Sequence, residues 1–116
     1  MIRNFLEADK QVQYGAHDGE GPVELYEIWG NTDFSSQCDF IDRQVIPPNS
    51  TVGYHKHGSN EEMYIILEGN GTMTIAGKEV KVKKGDMIKN PPFGEHGLVN
   101  DSTENIDLLI IQIAVA

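Results

Sequence analysis

Cysteine is almost absent from this chain. Cys38 is the only one, so no internal disulfide can form and no cysteine cage can hold zinc. Cations are scarce too: nine Lys and Arg stand against 18 Asp and Glu, a net charge of −9. That balance argues against a nucleic-acid partner or an anionic membrane surface. Long apolar runs are missing, since none approaches the roughly 18 residues of a membrane span. The opening MIRNFLEADK also lacks the apolar stretch of about 7–15 residues that marks a signal peptide. These absences predict a cytoplasmic protein that crosses no membrane. No internal repeat or low-complexity tract is present, and helical periodicity is scarce.

What is there reads as strands and turns. At 116 residues the chain is one domain by size. Residues 1–10 suit a short turn of helix or an extended arm. ELYEIWG (24–30) alternates, with Leu25, Ile28 and Trp29 as apolar anchors, and the run 37–46 is stopped by PPNS. MYIILEG, GTMTIAG, KEVKVKKGD and IDLLIIQIAVA follow, separated by EGNG, AGKE, KKGD and NDSTEN. Those separators carry the Gly, Asn and Asp chemistry of hairpin turns. Many short strands at near-regular spacing predict an all-β sandwich or barrel. The lysines of GKEVKVKKGDMIK, mixed with Glu79 and Asp86, read as a solvated strand edge that discourages edge pairing.

Chemistry concentrates in GYHKHGSNEEMYIILEG (53–69). On a strand, His55 and His57 share one face while Tyr54 and Lys56 take the other. Glu62 and Tyr64 share a face of the next strand, with Met63, Ile65 and Leu67 opposite. A hairpin turn at 58–60 is expected to fold Glu62 back beside the histidines. Two imidazoles and a carboxylate suit a divalent transition metal such as Mn, Fe, Ni, Cu or Zn. A second stretch, KGDMIKNPPFGEHGLVN (84–100), offers His96 after a Pro-Pro-Phe-Gly turn, placed to open a strand and point inward.

Together the two stretches resemble the paired signature motifs of the cupin superfamily. The first is met by His55, His57, Glu62 and Gly69, with Asn49 in place of its opening glycine; Asn tolerates the left-handed backbone. The second is met by Gly85, Pro91, His96 and Asn100, with Phe93 where the middle glycine belongs and Gly94 directly after. The resemblance implies a jelly-roll β-barrel, also called a double-stranded β-helix, over residues 23–116, preceded by an N-terminal arm or short helix over 1–22. It implies one metal held by His55, His57, Glu62 and His96. Glu61 competes with Glu62 for that role, and Glu62 keeps the motif's spacing to Gly69.

Tyr64 is either core filler or a pocket wall, and Gln44 is a candidate pocket residue. Phe93 and Trp29 are expected to pack, His17 to be exposed, and Cys38 to be a buried small hydrophobe. No catalytic acid or base is assignable. The resemblance implies a metal-dependent enzyme acting on a small oxygen-rich molecule, with a dioxygenase-type oxidoreductase favoured. A metal-dependent isomerase, lyase or cyclase, or a non-catalytic small-ligand binder, is the alternative. A homodimer using the C-terminal strand and the N-terminal arm is expected.

Overall fold

The computed structural model describes residues 1–115. Its ten strands run β1 (Lys10–Tyr14), β2 (Pro22–Trp29), β3 (Cys38–Ile46), β4 (Thr51–Lys56) and β5 (Asn60–Glu68) in the first half. The second half supplies β6 (Asn70–Ile75), β7 (Lys78–Lys83), β8 (Met87–Asn90), β9 (Glu95–Val99) and β10 (Ile106–Ala114). No α-helix occurs among the described residues; single 3-10 turns sit at Ala16–Asp18 and Asn31–Asp33. None of the described helical segments is long and apolar enough to cross a membrane.

The strands form two antiparallel sheets packed face to face. One has six strands in the order β1-β2-β3-β10-β5-β8 and the other four in the order β4-β9-β6-β7. This is the all-β jelly-roll barrel that the sequence resemblance implies. The strand connections differ from expectation, however. Of the quoted separators, only AGKE closes a true hairpin, between β6 and β7. The turns at 58–60, 69, 84–86 and 100–105 each carry the chain from one sheet to the other. Turn chemistry specifies that the chain reverses; it does not specify that the flanking strands pair. Partner choice is made by burial of the two inner faces.

The interior changes character along β10. Ile106 lies opposite Ile46, and Leu108 opposite Ile66, at an apolar end closed by Val23, Met73 and Leu98. Further along, Ile110 lies between Asp42 and Tyr64, and Gln112 between Phe40 and Glu62. The barrel therefore has an apolar floor and a polar mouth.

The N-terminal segment is fastened to the six-stranded sheet. β1 pairs with β2 from Lys10↔Tyr26 to Tyr14↔Pro22. Ahead of it, the Arg3 guanidinium lies 4.2 Å from the Trp29 ring and donates to the Asp33 carboxylate at 3.0 Å. Trp29 thus packs as expected. The lysine-rich β7 is the outer strand of the four-stranded sheet and is largely exposed, as expected of a solvated edge.

Candidate metal centre

Alternation alone would keep His55 out of the barrel. Val52 points inward and is buried, so strict alternation along β4 would bring Tyr54 inward and turn His55 outward. The pairing with β9 slips between Val52 and His55: Val52 faces Leu98, yet His55 faces His96. The extra residue is a β-bulge, and it re-aims everything after it. Tyr54 goes to the surface, where its hydroxyl donates to Glu95 at 3.1 Å, and His55 goes inside. Gly53 lies within the bulge and lets the turn at Ala16–Asp18 pass over it, because a Cβ there would collide with the His17 carbonyl oxygen.

His57 lies beyond the end of β4. Its N–H donates to the Gly94 carbonyl at 2.9 Å, and the Phe93 N–H donates to the Gly58 carbonyl at 2.9 Å. These two bonds clamp the 91–94 turn against the segment after β4. They bring the His-x-His pair beside His96 on β9.

The three imidazoles converge through Nε2. His55 Nε2 and His57 Nε2 are 3.2 Å apart, His57 Nε2 and His96 Nε2 2.8 Å, and His96 Nε2 and His55 Nε2 3.2 Å. Glu62 reaches the group from the opposite sheet, its Oε1 at 3.0 Å from His57 Nε2 and 3.6 Å from His96 Nε2. Glu62 thus joins the histidines by spanning the barrel. The expected hairpin between β4 and β5 does not exist, because the chain at 58–60 passes between sheets. Glu61 pairs with Ile113 on the outward face and is only half-buried.

Hydrogen bonds fix the tautomers of His55 and His57, whereas His96 Nδ1 is buried without a partner. The Gly53 carbonyl can only accept, so His55 Nδ1 donates to it at 2.7 Å. His57 Nδ1 likewise donates to Asn60 Oδ1 at 3.0 Å. Both Nε2 lone pairs are then aimed at each other across 3.2 Å, an arrangement that repels unless a cation sits between them. Glu62 Oε1 is buried without a hydrogen-bond partner. Bond lengths of about 2.0–2.2 Å to such donors give donor–donor edges of about 3.0–3.4 Å. The residues present therefore fit a divalent transition metal with nitrogen and carboxylate ligands.

Charge states agree with that fit. Burial, followed by the neighbouring histidines, depresses His96 to about 3, and burial lowers His55 as well. Both are neutral at ordinary pH. Burial raises Glu62 to about 7, and a bound cation reverses that penalty.

A cavity of about 150 Å³ opens from the histidines towards β3. Gln44 and Tyr64 both line it, and Tyr64 also belongs to the buried core. Burial, then Glu62, keeps the Tyr64 phenol protonated. Among the lining residues that escaped the sequence reading, two are titratable, His17 and Asp42. His17 is exposed over much of its surface as expected, yet its ring stacks on His55; nothing local in the sequence signals a contact across 38 positions. Asp42 is buried, and a signal was available, since it shares the inward face of β3 with Gln44.

Other expectations change. Phe93 does not pack: it is 61% exposed. It takes φ 60°, the backbone the motif's glycine would supply, so the turn persists with a strained residue. Asn49 adopts φ 69° as expected of an asparagine in a glycine's place. Cys38 is half-buried, not fully buried, and its thiol donates to the Phe40 carbonyl at 3.7 Å. Asn100 is structural: its amide donates to the Ile46 and Glu104 carbonyls at 2.7 Å each.

Comparison with known proteins agrees with this architecture. Residues 42–112 match the family model described as "Cupin domain". An oxalate-binding protein of Thermotoga maritima is 30% identical over 95 residues, which is 82% of this chain and 78% of that protein. The crystal structure of a predicted oxalate decarboxylase, also from Thermotoga maritima, superposes with a TM-score of 0.96 at 27% identity, covering 99% of this chain and 100% of that one. A gentisate 1,2-dioxygenase of a Haloferax species is 31% identical over 71 residues, 60% of this chain but only 20% of that enzyme.

Proposed function

This chain belongs to the cupin family, and we propose that it is a single-metal enzyme acting on a small oxygen-rich molecule in the cavity beside His55. The observation that carries the reading is the convergence of three Nε2 atoms within 2.8–3.2 Å of one another, with a partnerless carboxylate oxygen beside them. His55, His57, His96 and Glu62 would hold the metal. A divalent transition metal in such a set supplies Lewis-acid activation of a substrate oxygen and, if redox-active, one-electron chemistry with dioxygen.

The protein's own residues do the rest. Gly53 and Asn60 orient the two imidazoles through Nδ1. Tyr64 closes one wall of the cavity, and the apolar floor excludes water beneath it. Oxygenase chemistry is the favoured reaction class, supported by the likeness to a dioxygenase.

A second reading, a binder without turnover, is supported by the more extensive likeness to an oxalate-binding protein. Elemental analysis of the protein beside His96→Ala tests the metal: one equivalent in the first and none in the second is expected. Oxygen uptake by the loaded protein then separates oxygenase from binder. Absence of metal under every loading condition would sink both forms of the metal reading.

The proposal includes a homodimer. The outward residues Met63, Ile65 and Leu67 of β5 and Leu109 and Ile111 of β10 lie side by side and only half-buried. A second copy would cover them; a monomeric mass by light scattering contradicts this. The lone free thiol of Cys38 is in keeping with a cytoplasmic location.

A further inference from the structure

The cavity beside His55 has polar lining groups that metal binding does not use. Its volume of about 150 Å³ equals roughly five waters' share of liquid volume. Leu25, Phe40, Val52 and Ile110 give it apolar walls. From β3, Asp42 and Gln44 face into it. Their exposures are 8% and 6%, and both Asp42 Oδ1 and Gln44 Oε1 are buried with no hydrogen-bond partner. Buried acceptors left unpaired are penalised in the empty protein, and a bound donor relieves that penalty. Neither group is fastened to a neighbouring element.

Charge narrows what the donor can be. No lysine or arginine is among the lining residues, whereas Asp42 and Glu62 both are. Glu27 adds negative potential at Asp42. Once Asp42 is ionised, a carboxylate placed against it would meet like charge with no lysine or arginine in the lining to offset it. A hydroxyl or amine would instead find two acceptors waiting.

We propose that Asp42 and Gln44 form a ligand subsite that receives a hydrogen-bond donor. The ligand class is then a compact molecule with a metal-binding oxygen at one end and a hydroxyl or amino group at the other, not a dicarboxylate. The first end of that ligand rests on the metal-centre reading above; the second rests on β3 alone. Asp42 is thereby a specificity-determining residue that lines the same cavity as His55 and Glu62 without belonging to the ligand set.

The test is a calorimetric comparison of two small probes, glycolate and oxalate, on the metal-loaded full chain and on Asp42→Asn. It is run at about pH 8, where Asp42 is mostly ionised, since burial lifts it to about 7. The readout is the ratio of the two affinities, because the metal by itself favours the stronger chelator whatever surrounds it. Asp42→Asn is expected to weaken glycolate and strengthen oxalate, so the ratio of glycolate to oxalate affinity falls about tenfold or more. A merely structural role would weaken both together. A smaller change in the ratio, or no glycolate binding by the wild type, overturns the proposal. Should Asp42→Asn not fold, Gln44→Leu is held to the same threshold. Metal content measured on each sample keeps the two readings apart. If no metal is taken up, the metal centre falls, and the subsite stands or falls on the same ratio in the metal-free protein.

Discussion

The imidazole of His17 lies face to face with that of His55, their ring centroids 3.6 Å apart and their planes within 7°. The stack joins the turn after β1 to the end of β4, so the N-terminal segment forms one wall of the cavity beside His55. The turn is held in a demanding conformation, with φ 50° at His17 and 61° at Asp18. It fits only because Gly53 leaves room for the His17 carbonyl.

Gly53→Ala should therefore separate the stack and destabilise the fold by about 1–3 kcal/mol, through overpacking against backbone that cannot yield. Gly58→Ala is the control, since a Cβ there meets nothing within 4 Å, and its effect should stay within about 0.5 kcal/mol. Urea denaturation of both variants checks the contrast. Equal midpoints would remove the packing account of Gly53.

Asn60 would act on a bound metal through His57. Its Oδ1 accepts from His57 Nδ1 at 3.0 Å, fixing the tautomer that presents Nε2. Asn60→Ala should weaken metal affinity by about 10–100-fold while leaving the fold intact. Competition with a chromophoric chelator measures this directly, and Asn60→Asp, which keeps an acceptor, should restore most of the loss.

Phe93 carries a left-handed backbone at 61% exposure, so it bears strain with little burial in return. Relief of the left-handed penalty, about 1–2 kcal/mol, exceeds the added chain entropy of glycine, about 0.5–1 kcal/mol. Phe93→Gly should accordingly stabilise the protein by up to about 1 kcal/mol. A lowered thermal midpoint would mean that the ring makes a contact of value.

Asp42 and Glu62 should both shape the pH dependence of the metal-free protein, and the Asp42→Asn variant isolates the first. Burial first, then Glu27 and Glu62, raises this carboxyl from 3.8 to about 7. For an acid whose folded value lies above its unfolded one, the stabilising contribution is whole below about pH 4 and is lost as pH rises towards 7. Asp42→Asn abolishes that loss. Its advantage over the wild type should be negligible near pH 4 and on the order of a few kcal/mol at pH 8. Thermal melts of chelator-treated protein across that range decide it; a constant difference at every pH would contradict the buried-carboxyl account.

Metal removal should lower stability more than any single surface change. The lone pairs of His55 and His57 then face each other across 3.2 Å with nothing between them. Restoring metal to about 100 times its dissociation constant should return about 2.7 kcal/mol. His96→Ala should show no such shift.

Much of the site was legible because it is encoded locally. His55, His57 and Glu62 fall within eight consecutive residues, and His96 sits in a motif with its own turn signal. Gln44 was singled out from its place on the strand before PPNS, and alternation along β3 from there reaches Asp42 two residues earlier. The stacking of His17 and the exposure of Phe93 were not legible. One depends on a contact between segments far apart in sequence, the other on how a turn lies against a neighbouring strand.

By itself, then, the sequence determined the strand-rich architecture, the family motifs and the chemical types of the candidate ligands. Composition, period-two patterning and turn residues act over a few positions, so they can be read in one pass. Only the tertiary structure decided which strands share a sheet, and hence that Glu62 crosses the barrel to reach His57. It alone decided the bulge at Gly53 that turns His55 inward, and the placing of Asp42 in the cavity beside His55. The reason is physical: register and sheet partnership are settled by burying two inner faces against each other, an energy that belongs to pairs of distant segments and to no single stretch of chain.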